Sequence, residues 1–273
     1  MKTIDSEQVK TRLTALIKKC LTMPDPAVTN ALEYLRTDSP LEAEAARLIA
    51  ENNKIAERDG AFCCQDTGQA VIFVRMGDEV YCGGLASAIQ QAVRDAYSAA
   101  RKSVADPLTR VNTSDNTPAI VSVQLVPGDE FTISFLAKGA GSENMSKLYM
   151  LTPADGTEGI IDAVMNAVEC GGRNACPPLV VGVGIGGVTE TACVLSKRAV
   201  MRPVGERNDR ADVAALECEL LKRINALGIG VAALGGNATA LAVNIETAPT
   251  HIGMLPVAVN LQCHSVRHGT LRF

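Results

Sequence analysis

A chain of 273 residues, 47% hydrophobic and 21% charged, can bury a sizeable core without disulfide staples. A net charge of −4, with four tyrosines, five phenylalanines and no tryptophan, supplies neither the basic field nor the stacking rings of a non-specific nucleic-acid binder. The first ten residues mix charges and lack a signal-peptide apolar core. The uncharged stretch 227–245 holds four glycines and two asparagines, which makes it a poor bilayer span and a better pair of buried strands with a turn. The expectation is a cytoplasmic protein with no membrane or nucleic-acid partner. Its nine cysteines are then thiols or metal ligands rather than disulfides.

In chain order, residues 1–60 read as a helical layer. Ser6 caps a helix with apolar positions Val9, Leu13, Leu16, Ile17, Cys20 and Leu21. Asp25-Pro26 starts a second helix. Ser39-Pro40-Leu41-Glu42 starts a third with a capping box, an apolar face of Leu41, Ala45, Leu48, Ile49 and Ile55, and Gly60 as its stop. Ala70–Met76 reads as a buried strand and residues 84–103 as a helix. Pro118–Val126 and Phe131–Ala137 flank Pro127-Gly128-Asp129-Glu130, the signal of a β-hairpin. Helices are expected at 159–170, 189–198 and 209–227, with a short buried strand over Leu179–Gly184 and strand-like sequence to the end. The pattern predicts one α/β domain, 1–273, in which a mixed sheet is flanked by helices and carries the N-terminal helical layer.

Three segments look unlike scaffold: Cys63-Cys64-Gln65-Asp66-Thr67-Gly68, Asn174-Ala175-Cys176-Pro177-Pro178 and Gln262-Cys263-His264. Each puts a cysteine at a strand end, where α/β proteins place their sites. With no C-x-x-C pair the pattern is unlike structural zinc. Thiolates scattered along a chain fit an iron–sulfur cluster, closed by four or left open at one iron by three. The alternative is that each cysteine is a small buried hydrophobe, the reading adopted for Cys20, Cys82, Cys170, Cys193 and Cys218. Of the adjacent Cys63 and Cys64, only one should face a given metal, and Cys64 shares its turn with Gln65 and Asp66. Gly182-Val183-Gly184-Ile185-Gly186-Gly187, with Glu206 beyond it, matches a dinucleotide fingerprint and motivates a competing oxidoreductase reading. Lys138–Asn144 offers backbone amides for an anion nest, or a plain loop.

Together these segments resemble the iron–sulfur class of fumarases and the related tartrate dehydratases, specifically the alpha subunit of the two-subunit form. The resemblance rests on CQDTG at 64–68, VNT at 111–113, AKGAGSEN at 137–144, ACPP at 175–178, GVGIGG at 182–187 and QCHSVR at 262–267. It implies a [4Fe–4S] cluster on Cys64, Cys176 and Cys263, with the fourth iron open to substrate. It places the cluster-adjacent Gln-Asp pair on Gln65 and Asp66, a substrate arginine on Arg101, the substrate-facing glycine on Gly141 and a substrate-side histidine on His251. It also makes the glycine-rich turn scaffold rather than a nicotinamide site.

The implied reaction is reversible hydration of a four-carbon dicarboxylate, fumarate ahead of tartrate. Asp66 supplies or relays a proton to the leaving hydroxyl, and Arg101 clamps a carboxylate. The base for the opposite face, a threonine in this family, belongs to a separate beta subunit. The expectation is therefore a hetero-oligomer whose alpha chain is inactive alone. An iron–sulfur sensor without catalysis is a third class, separated from the enzyme by turnover with the partner chain.

Overall fold

The structure, a computed structural model, describes residues 1–273. A short strand β1 (Lys2–Thr3) precedes helix α1 (Ser6–Thr22), which buries Val9, Leu13, Ile17, Cys20 and Leu21 as its periodicity requires. The cap lies one residue earlier than expected. Asp5 has the extended backbone that a cap needs and accepts the Glu7 N–H, while Ser6 is already helical. Helices α2 (Pro26–Glu33) and α3 (Pro40–Asp59) both begin at proline, and Gly60 ends α3 at φ +62°. The expected face of α3 holds only at Ala45, which is buried, and Ile49, which is half-buried. Leu41, Leu48 and Ile55 are exposed, and Glu42, Ala46, Ala50, Asn53 and Ala56 are buried instead.

Next come β2 (Gln69–Gly77), β3 (Val80–Tyr81), α4 (Leu85–Ala96), β4 (Ile120–Val126) and β5 (Phe131–Lys138). Helix α4 stops well short of residue 103, and an irregular segment with left-handed Arg110, Ser114 and Asn116 leads to β4. The chain continues through α5 (Ala140–Glu143), β6 (Lys147–Leu151), α6 (Gly156–Gly171), β7 (Leu179–Gly186), α7 (Thr189–Ala199) and α8 (Ala211–Ala226). It ends in β8 (Ala240–Ala248), β9 (Leu255–Gln262) and β10 (His268–Arg272). The stretch 227–245 holds one strand, not two. Its first half is a loop with left-handed Gly228, Gly230, Ala232 and Ala233.

The chain forms two compact units. One comprises residues 1–25, 53–140 and 267–273, and the other residues 26–52 and 141–266. Both are mixed sheets with helices, a mixed α+β fold with a helical N-terminal region.

In the first unit the strand order is β10-β5-β2-β4, with β2 parallel to β4 and antiparallel to β5. The expected hairpin of β4 and β5 therefore does not form. The apolar strand β2 lies between them and pairs with both. The turn at 127–130 is knitted to the end of β2 instead, through Gly77 N–H to Glu130 O at 2.7 Å and Asp78 N–H to Val126 O at 2.9 Å. Helices α1 and α4 share this unit's core, where Leu13, Ile17, Ile89 and Val93 join Ile72, Val74, Ile133 and Phe135.

In the second unit the order is β6-β9-β7-β8, with β7 parallel to β8 and antiparallel to β9. Side chains alternate across β7. Val181 and Val183 join the core with Val164 and Val168 of α6 and Leu220 and Ile224 of α8. Gly182 and Gly184 face α7, where a Cβ would strike the carbonyl oxygens of Ser196 and Ala192. These glycines thus serve close helix–strand packing in a partly antiparallel sheet, which removes the reason for a dinucleotide reading. No helix is long and apolar enough to cross a membrane.

Candidate functional site

The segment 61–68 has neither helix nor strand, so its shape depends on side-chain bonds. Cys63 and Cys64 differ in burial. Cys63 is buried, with its N–H on Leu21 O at 3.3 Å, whereas Cys64 is half-buried and lines a cavity of about 320 Å³. Gln65, Thr67, Arg101 and Arg267 supply the polar wall of this cavity, and Leu21, Phe62 and Ala100 the apolar wall. Cys64 Sγ lies 3.8 Å from Gln65 Oε1.

Asp66 ties two loops together. Its Oδ1 accepts the Gly68 N–H at 3.0 Å and its Oδ2 the Ala140 N–H at 2.8 Å. Gly139 makes this approach possible, since a Cβ there would sit 3.0 Å from Asp66 Oδ2. Each carboxylate oxygen retains a second lone pair. Arg101 has an exposed side chain, but its carbonyl is fixed. It accepts from Thr67 Oγ1 at 2.8 Å and from the buried Asn116 Nδ2 at 3.0 Å. Thr67, Asn116 and Arg267 were not singled out from the sequence. All three act by long-range bonds that local periodicity does not encode.

In the second unit, Cys176 is exposed and left-handed at φ +53°, just ahead of the cis Pro177-Pro178 bond and β7. Its carbonyl accepts the His264 N–H at 3.4 Å, so the Cys176 and Cys263 segments run side by side. The fully buried Gln262 directs Nε2 to Cys263 Sγ at 3.6 Å and to Ser265 O at 3.2 Å. Gly141 is exposed, with no atom within 4 Å of where a Cβ would stand.

His251 is not brought to Cys263. It is exposed in the turn before β9, with Nδ1 accepting the Gly253 N–H at 3.1 Å. Cys263 follows the far end of β9, an eight-residue strand, and a strand of that length spans roughly 26 Å. His268 belongs to the first unit and sits 3.5 Å from Asp25. Burial holds its imidazole below the ordinary value, against the pull of Asp25.

The other cysteines divide. Cys20 is buried, and burial pushes its thiol up to about 12. Cys82 is half-buried and raised by burial, reinforced by Asp5. Cys170, Cys193 and Cys218 are exposed on α6, α7 and α8, contrary to the packing role expected of them.

All nine cysteines are free thiols. No three His, Cys, Asp or Glu side chains gather at single-ion spacing. Thiols in strand-end loops are the donor type that an iron–sulfur cluster takes.

The family model described as Fumarate hydratase (Fumerase) matches residues 10–272. The chain is 40% identical over 257 residues to the putative L(+)-tartrate dehydratase subunit alpha of Methanocaldococcus jannaschii, covering 90% of each protein. It is 37% identical over 215 residues to the L(+)-tartrate dehydratase subunit alpha of Escherichia coli K12, covering 76% of this chain and 71% of that protein. The words "subunit alpha" in both names imply a partner subunit. The chain belongs to the fumarate hydratase (Fumerase) family, and it is the alpha subunit of an iron–sulfur hydro-lyase.

Proposed function

We propose that both units act as one catalytic domain that holds a [4Fe–4S] cluster on Cys64, Cys176 and Cys263. With a beta subunit, in the cytoplasm, the chain adds water reversibly to fumarate to give malate. The observation that carries this reading is the single cavity lined by Cys64, Gln65 and Arg101. When bound, a cluster with three thiolate ligands supplies an open iron as Lewis acid for the substrate hydroxyl.

The chain's own residues do the rest. The Arg101 guanidinium is free to take a substrate carboxylate in a bidentate grip, because its main chain is already fixed by Thr67 and Asn116. Gln65 donates a neutral hydrogen bond from its amide, and the open Gly141 amide offers another. Asp66 holds or passes the hydroxyl proton at whichever carboxylate oxygen faces it, and its two backbone bonds fix its orientation. The beta subunit supplies the base for the C3 proton. His251, exposed in the turn before β9, is the substrate-side histidine of this reading.

Tartrate is the second reading, favoured by the names of the relatives. The two substrates differ by one hydroxyl, and the beta chain completes the pocket. Assay of the anaerobically prepared complex on both substrates decides between them. A higher kcat/KM on fumarate and malate supports the first reading, a higher value on tartrate supports the second, and turnover of neither contradicts both.

Two variants sharpen the test. Arg101→Ala should lower kcat/KM by about 30- to 1000-fold, the effect of about 2–4 kcal/mol for a lost charge-assisted clamp, and Arg101→Lys should recover only part of it. Gly141→Ala should melt at or above the wild-type temperature, since nothing obstructs the added methyl and the position is helical. Its turnover should fall nonetheless, because the methyl stands beside the amide assigned to the substrate. Unchanged turnover would remove Gly141 from the site.

A further inference from the structure

Arg267 stands four residues after Cys263 and is 2% exposed. Its Nη1 donates to Asp66 O at 2.7 Å and Thr67 O at 3.2 Å. These acceptors are main-chain carbonyls, not a carboxylate, and its buried Nε meets no acceptor. A desolvated guanidinium that holds main-chain carbonyls is costly. A neutral side chain could fill the same space at lower cost, so the charge needs another reason. The carbonyls it binds belong to the irregular segment that carries Cys64, Gln65 and Asp66, and Arg267 lines the same cavity as Cys64.

We propose that Arg267 is a positioning residue: it clamps the 64–67 segment from behind and leaves its charge at the wall of a cavity that takes an anion. No other side chain does this. Asp66 fastens the segment to Gly68 and Ala140, and Thr67 fastens it to Arg101, but only Arg267 grips its carbonyl side. Nη1 donates to two successive carbonyls, and lysine, whose ammonium ends nearer the backbone and lacks the planar group that aims these bonds, does not reproduce the grip. The main chain fixes where the thiol, amide and carboxylate stand, so loosening it displaces all three together. The catalytic consequence rests on the hydro-lyase reading, whereas the clamp itself does not.

Hydrogen exchange on the full chain, free of cofactor, tests the clamp. In Arg267→Lys and Arg267→Gln, peptides covering 61–68 should exchange about tenfold faster or more, as expected for a lost hydrogen bond to a charged group. Peptides covering β4 and β5 should keep wild-type protection in Arg267→Lys. Wild-type exchange over 61–68 in the lysine variant overturns the proposal, and so does a uniform rise across the chain. If the glutamine variant does not fold, the lysine variant alone decides.

In the complex with the beta subunit, the lysine variant should lose iron to a chelator faster than wild type. Its kcat should fall with KM nearly unchanged. A raised KM at unchanged kcat would make Arg267 a substrate contact and overturn the positioning role. Absence of turnover in the wild-type complex would contradict the hydratase reading while leaving the exchange result to decide the clamp.

Discussion

Glu42→Ala should destabilise the chain by about 3–5 kcal/mol, measured by denaturant unfolding of the full chain at neutral pH. The carboxylate is fully buried. It accepts the N–H groups of Val231 at 3.1 Å, Asn237 at 3.0 Å and Ala238 at 2.9 Å, together with the Thr37 hydroxyl. The loop it holds is bent back on itself through left-handed glycines and alanines. Gly236 has no room for a side chain, because a Cβ would strike the carboxylate. Removing the carboxylate leaves buried donors without acceptors, at roughly 1–3 kcal/mol each, offset in part by relaxation and water entry.

The loss should depend on pH with a definite sign. Burial alone would raise the Glu42 carboxyl, but the Thr37 hydroxyl and the three backbone donors outweigh it and hold it below the ordinary 4.5. A depressed folded value gives stability that is present above the unfolded value and lost as pH falls through the folded one. The gap between wild type and Glu42→Ala should therefore be widest near neutrality and narrow below about pH 4.5. A gap that widened in acid would contradict the cradle. Ala232 of the same loop donates to Pro177 O at 2.8 Å, so the variant should also disturb the turn that follows Cys176.

The Glu42 cradle also marks a limit of sequence reading. Periodicity finds α3 but assigns its buried face to leucines, because it assumes that carboxylates stay in water. A buried glutamate is recognisable only once the loop nearly two hundred residues later is in place to supply its donors. The failed hairpin has the same origin. The turn at 127–130 is a genuine turn, but β2, more than forty residues upstream, offers a largely apolar ladder to both of its flanking strands. Where partners are local, the reading succeeds: α1, α2, α6, α7 and β7 lie where caps, prolines and apolar spacing put them.

The candidate site divides along the same line. The chemical groups announce themselves by residue type in strand-end loops. The residues that hold those groups do not. Thr67 and Arg267 lie inside recognisable motifs and Asn116 outside them, but the holding role of all three is recognisable only from the carbonyls they bind. Arg101 lines the same cavity as Cys64, whereas an extended strand separates His251 from Cys263.

The largest effect on turnover is expected from the cysteines. A serine hydroxyl is a far poorer ligand for iron than a thiolate, and a cluster held at three points does not tolerate the loss of one. Cys64→Ser, Cys176→Ser and Cys263→Ser should each abolish measurable hydration in the complex with the beta subunit. Cys20→Ser and Cys218→Ser should keep the cluster, with Cys20→Ser costing some stability because that thiol is buried.

The direct test is anaerobic quantification of iron and sulfide on the reconstituted full chain, with visible absorption of the cluster and electron paramagnetic resonance after reduction by dithionite, wild type beside these five variants. Wild type, Cys20→Ser and Cys218→Ser should each hold close to four irons and four sulfides per chain, and the other three should lose the cluster signal. A wild-type cluster in Cys64→Ser, Cys176→Ser and Cys263→Ser alike would contradict the ligand assignment.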